Sequence, residues 1–156
     1  MTPKIGITEK ELNNSKQILA VVLADTVVLY TKLRKFHWNV AGNSFMELHK
    51  LFEANYTELE LIIDNTAERI NELGGKTIGT MTEFLALTNL KEHPDSYPNQ
   101  TEMISELVTD YEQVIVIIRE SVAKCSTGND FGTVDFLTSL LETHEKSVWI
   151  LRRYLS

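Results

Sequence analysis

Cysteine is nearly missing from this chain. Cys125 is the only one, which rules out an internal disulfide and fits a reducing compartment. Proline and glycine are scarce, at three and seven among 156 residues, so few positions interrupt the backbone and long elements are expected. Long hydrophobic runs are also lacking. The greasiest stretch, Ile18 to Tyr30, is too short to span a bilayer and contains Asp25. The first ten residues have no signal-peptide core. Together these absences lead to the expectation of a cytoplasmic protein without a membrane segment. Positive charge is in deficit, with 15 Lys and Arg against 22 Asp and Glu, for a net charge of -7. An acidic surface repels phosphates and attracts cations, which weighs against a nucleic-acid binder and towards a metal-handling protein. What is present is ordinary for a globular chain: 43% hydrophobic and 24% charged residues. The length suits one domain over residues 1–156, with 1–7 as a short tail.

Apolar residues recur at helical spacing. Thr8-Glu9-Lys10-Glu11 has the spacing of a capping box. Leu12, Leu19, Val22, Leu23, Val27, Tyr30, Leu33 and Phe36 follow at three- and four-residue steps. The pattern predicts a helix over 8–38. After a break at Ala41-Gly42-Asn43, Ser44 to Glu47 reads as a second capping box, opening a helix that stops at Gly74-Gly75. A connection over 76–100 holds a short helical segment, Thr82 to Leu90. Two further helices are expected over 101–125 and 131–154, separated by Gly128-Asn129-Asp130. The fold class is therefore all-α: a four-helix bundle with one long crossover and a short extra helix between helices two and three.

Two histidines and three carboxylates stand close together: His37, His49, Glu53, Asp64 and Glu68. At about 100° per residue, the last four project from one side of the second helix. Singly, each residue is ordinary for an amphipathic helix. Imidazole and carboxylate without thiolate form a donor set for iron, manganese or zinc. One chain cannot close such a site, because His49 and Asp64 are separated by about 22 Å along the helix axis, while metal–ligand bonds are about 2 Å. A two-fold axis through the middle of the helix removes the difficulty. It would set His37, His49 and Glu53 of one copy against Asp64 and Glu68 of another. No histidine follows a glutamate at Glu-x-x-His spacing, which argues against a di-iron centre inside one bundle.

The string Phe36-His37-Trp38-Asn39-Val40-x-Gly42, then Phe45, Leu48-His49, Phe52-Glu53, Tyr56, Asp64 and Ala67-Glu68-Arg69-Ile70, resembles the Dps family, the mini-ferritins. Asp135, His144-Glu145-Lys146 and Trp149 fit it too. The resemblance implies a ferritin-like bundle and a hollow dodecamer. It also implies oxidation of Fe(II) with hydrogen peroxide at ferroxidase centres on two-fold interfaces, with storage of ferric mineral inside. By resemblance the metal ligands are His37, His49 and Glu53 from one subunit, with Asp64 and Glu68 from its mate. Many members carry aspartate where Glu53 stands. Zinc or manganese could occupy the same donors. Trp38, beside His37, could pack on the site, take up a stray electron, or simply be an interface aromatic. Asp130 and Asp135 are candidates for an acidic iron-entry pore, with helix capping as the alternative for each. Arg69 could pair with Asp64 or Glu68 across the interface. His93 reads as incidental, His144 as structural, and Cys125 as a small apolar residue.

The family's other activity is DNA binding, usually through a lysine-rich terminal extension. Here the N-terminal residues hold only Lys4 and Lys10, diluted by Glu9, so weak or absent DNA binding is expected. The competing readings are a nucleoid-condensing protein with little ferroxidase activity, an adhesion or immune-modulating protein on the same scaffold, and a bundle whose histidines and acids are only surface.

Overall fold

A computed structural model of the chain describes residues 3–156; Met1 and Thr2 of the expected tail lie outside the described residues. The described residues form five helices and no strand: α1 (Glu9–Asn39), α2 (Phe45–Glu72), α3 (Met81–Leu87), α4 (Gln100–Thr127) and α5 (Phe131–Arg153). The four long helices and the small one in the crossover match the expected architecture. No helix among the described residues is long and apolar enough to cross a membrane.

α1 and α2 pack as one antiparallel hairpin and α4 and α5 as another. α1 also lies against α4 and α3, while α2 only brushes α5. α1 is therefore the central element. Its residues Val22 to Leu29 are all buried, including Asp25 and Thr26. Thr26 satisfies its hydroxyl on the Val22 carbonyl at 2.7 Å. The core joins Leu19, Leu23, Leu29 and Leu33 of α1 to Phe52 and Leu59 of α2, Leu107 and Ile118 of α4, and Leu137 and Leu151 of α5.

Two of the expected helix caps differ. Thr8 accepts from the Glu11 amide at 3.3 Å, which is half of the expected box. Ser44 makes no side-chain cap bond. The turn there closes instead through the Phe45 amide, which donates to the Gly42 carbonyl at 3.1 Å. Gly42 has φ +116°, and a Cβ would sit 3.0 Å from the Gln100 side chain, so both backbone and space call for glycine. Complete capping boxes stand where none was expected, at Thr80 with Glu83 and Asn99 with Glu102. The Gly79 amide, the Thr80 hydroxyl and the Thr80 amide hold the Glu83 carboxyl below its ordinary range. The glycine stop of α2 is as expected. Gly74 takes φ +77°, and the Gly75 amide returns to the Ile70 carbonyl at 3.0 Å.

Two charged side chains are buried in α1, and each is matched. Asp25 accepts from the Thr88 hydroxyl (2.8 Å), the Asn89 amide (2.6 Å) and Asn89 Nδ2 (3.1 Å), which hooks the end of α3 onto α1. Lys32 Nζ lies 2.5 Å from Asp110 and 2.8 Å from Glu106, which joins α1 to α4. Burial raises the Asp110 carboxyl above its ordinary range, and Lys32 offsets part of that rise.

His144 is fully buried on α5 with its ring edge-on to Tyr111 at 5.6 Å, and neither ring nitrogen has a hydrogen-bond partner among the described residues. It is structural, as expected. Burial lowers its pKa from 6.5 to about 4. In the unfolded chain this imidazole takes a proton near pH 6.5, so between the two values the unfolded state binds more protons. Stability from this group is complete above about pH 6.5 and is lost as pH falls towards 4, by on the order of 3 kcal/mol. Thermal unfolding of the wild type across that range should show the fall. His144→Leu should flatten it, and an equally steep fall in the variant would remove His144 as its source.

Candidate metal centre

The turn between α1 and α2 brings His37, at the end of one helix, against His49, in the first turns of the other. Their rings stack with centroids 3.8 Å apart and planes 18° from parallel. His37 Nδ1 lies 2.7 Å from the His49 carbonyl oxygen, and His49 Nδ1 lies 2.9 Å from the His37 carbonyl oxygen. A carbonyl can only accept, so each Nδ1 carries the proton and donates. In the neutral ring the lone pair is then on Nε2, the nitrogen that ligates metals when a backbone carbonyl orients the other. The pair of reciprocal bonds closes the hairpin and fixes both tautomers. This donor set fits a divalent metal ion.

The walls of the pair are aromatic. Tyr56 meets the His37 ring edge-on at 5.3 Å, and Phe45 lies 5.2 Å from the His49 ring. The Arg34 guanidinium sits over Tyr56 (4.7 Å), Trp38 (5.2 Å) and Tyr30 (5.6 Å), and Nη1 donates to the Tyr30 hydroxyl at 2.8 Å. Trp38 is otherwise open to solvent. In the sequence Tyr30 reads only as part of the apolar face of α1, and Arg34 carries no signal of its own. Their signal is spacing: Tyr30, Arg34 and His37 recur at four and three residues on one side of α1.

Glu53 is exposed one turn along α2 from His49, and Asp64 and Glu68 are exposed farther along the same helix. Among the described residues, no group of three or more His, Cys, Asp or Glu lies close enough to hold a metal. One chain thus presents two imidazoles at one end of α2 and an acidic pair at the other.

Two neighbouring residues have partners inside the chain. The Arg69 guanidinium is engaged within its own chain. It donates to the Thr133 hydroxyl (3.1 Å), Glu72 (2.9 Å) and Asp130 (3.2 Å), because the end of α2 lies against the start of α5. Asp130 is not a surface carboxylate. It is 1% exposed and caps α5 by accepting from the Thr133 amide at 3.1 Å. Burial works to raise its carboxyl, but hydrogen bonds from Thr133 and the Arg69 guanidinium outweigh this and hold it below its ordinary range. Asp135, one turn on, is exposed. His93 is less incidental than its sequence position suggested, for its Nε2 faces Glu106 at 3.7 Å. Cys125 is buried beside the Ser15 hydroxyl, and burial raises its thiol pKa.

Comparison with known proteins gives the family of the chain. A ferritin-like domain family matches residues 16–156. A low temperature-induced protein of Nostoc is 42% identical over 97% of this chain and 85% of its own length. The DNA protection during starvation protein 2 of Bacillus anthracis is 37% identical over 91% of this chain and 99% of its own length. The chain belongs to the Dps family of ferritin-like proteins. The Dps protein of Vibrio cholerae, described as one of the ferritin-like diiron-carboxylate proteins, superimposes with a TM-score of 0.93 at 31% identity, over 99% of this chain and 97% of that one. Dps membership carries iron binding, iron storage and protection from oxidative damage at the level of the family.

The cap at Asp130 yields a direct test. Asp130→Ala should lower stability by about 2 kcal/mol, through loss of the cap and of a buried partner for Arg69. Asp130→Asn keeps an acceptor at the cap and should recover about half of that loss in thermal unfolding.

Proposed function

We propose that this chain is a ferroxidase and iron store whose reactive centre is shared between two subunits. The observation that supports the reading is the reciprocal pair of Nδ1 bonds, which leaves the Nε2 lone pairs of His37 and His49 available as ligands. A two-fold axis packs α2 against α2 of a second copy. The imidazoles and Glu53 of one chain then face Asp64 and Glu68 of the partner subunit, giving two identical centres per dimer. Six such dimers close the dodecameric shell that family resemblance implies. Exposed Asp135 is proposed to line the route by which iron enters.

In this reading Fe(II) is the substrate. Neutral imidazoles bind the divalent ion, and the carboxylates stabilise the greater charge of Fe(III) after oxidation. Hydrogen peroxide accepts two electrons, one from each of two Fe(II). Its O–O bond breaks to give two hydroxides, which take two protons to form water. Consuming both electrons within one centre avoids release of hydroxyl radical. Ferric ion then passes to the interior as hydrated oxide. Zinc or manganese would compete for the same donors. The proposed setting is the cytoplasm.

The alternative is a nucleoid-condensing protein with little oxidase activity. The names of several relatives favour it, as DNA protection proteins. The net charge of -7 per chain opposes it. A gel shift at moderate salt is expected to show no retention of DNA, and tight retention would favour the alternative.

Complementation tests the sharing directly. His37→Ala/His49→Ala and Asp64→Asn/Glu68→Gln chains should each lose at least about tenfold in peroxide-driven Fe(II) oxidation, since each lacks one half of every centre. Refolded together at equal amounts, they should regain about a quarter of wild-type sites, because half of the dimers are mixed and each mixed dimer has one intact centre. Unchanged rates in the single-class variants would remove the site. Loss without recovery on mixing would remove the sharing.

A further inference from the structure

The connection from α3 to α4 crosses α1 and α4 as a strap. Its first residues are held by Asp25. Farther on, Lys35 Nζ donates to the carbonyls of His93 (2.7 Å) and Pro94 (3.1 Å) and sits 4.7 Å from the centre of the Tyr97 ring. Beneath the strap is a half-enclosed cavity of about 100 Å³, lined by Val28 and Phe36 of α1 and roofed by His93, Pro94 and Ser96.

The charged groups around it do not balance. α1 supplies Lys32 and Lys35, α4 supplies Glu106 and Asp110, and the strap supplies Glu92 and His93. Lys35 is committed to strap carbonyls. Lys32 is one ammonium between two carboxylates, at 2.8 Å from Glu106 and 2.5 Å from Asp110. Lys32, Glu106 and Asp110 therefore carry one excess negative charge, in a place where Lys32 and Asp110 are both buried. His93 Nε2 lies 3.7 Å from the same Glu106 oxygen that faces Lys32. A proton on that imidazole would cancel the excess, and imidazole changes charge between pH 5 and 8.

We propose that His93 is a proton-operated latch: charged, it pairs with Glu106 and holds the strap closed over the cavity, and neutral, it leaves the His93–Pro94 segment to Lys35 while Asp25 keeps the strap's first residues in place. The inference is independent of the metal centre. Asp110 offers the proton a second seat in the same cluster, since burial raises its carboxyl.

Peptide-level hydrogen exchange on the intact protein separates these seats. After correction for intrinsic rates, the strap over 88–99 should exchange about threefold more slowly at pH 6 than at pH 8, the scale of a half-exposed ion pair. His93→Gln should abolish the difference, and Asp110→Asn, which removes the excess charge but leaves Glu106 facing His93, should reduce it without abolishing it. Equal protection at both pH values in the wild type would overturn the latch. So would a difference that survives in His93→Gln, or one that Asp110→Asn removes.

Discussion

The constraint on which the structure depends is the burial of α1. Its middle, from Val22 to Leu29, has no face left for water, because α2, α4 and the crossover cover it from different sides. Burial on that scale supplies much of the hydrophobic stabilisation available to the chain. It also places a carboxylate and an ammonium where neither survives unpaired. Asp25 and Lys32 are seven residues apart, two helical turns, and so point the same way. Asp25 is answered by the end of α3 and Lys32 by α4. These two buried charges decide where the crossover lies and how α4 approaches. A more apolar α1 would bury as well without choosing so narrowly between arrangements.

The same economy appears at the candidate centre. The bonds that close the α1–α2 hairpin are the bonds that set the tautomers of His37 and His49. A turn held only by glycine and backbone would join the helices but leave two rings free to rotate and to protonate on either nitrogen. Here the backbone carbonyl of each histidine orients the ring of the other. The chemical capacity of the pair is thus a property of the hairpin, and the aromatic walls and Arg34 restrict it further.

Much of the fold was legible because it rests on period. The apolar spacing of Leu19, Leu23, Leu33 and Phe36 announces a helix whatever it packs against, and Gly74-Gly75 announces its neighbour's end. The capping signals were less dependable. Ser44 to Glu47 has the letters of a box and does not form one, since the tight turn from Gly42 leaves Ser44 at ψ 24°, away from the extended geometry that lets a cap side chain reach back. Asn99 with Glu102 forms a complete box directly after Pro98. At the site, His37 and His49 could be paired from spacing and a short turn. The stacking of their rings and the direction of their Nδ1 bonds could not, because both depend on how two helices are rotated against each other.

By itself the sequence determined five helical segments, one face of α2 bearing His49, Glu53, Asp64 and Glu68, and the impossibility of joining the ends of that face within one chain. Those follow from local geometry: 100° and about 1.5 Å per residue hold in any helix. Only the tertiary structure decided that Arg69 serves Asp130, that Asp130 is a buried cap, that Asp25 anchors the crossover, and that His93 meets Glu106. The cap itself spans only Asp130 to Thr133, but its burial and the other three contacts depend on residues more than ten positions apart, and a side chain's partner across such a gap is set by packing of the whole bundle, which no local period records.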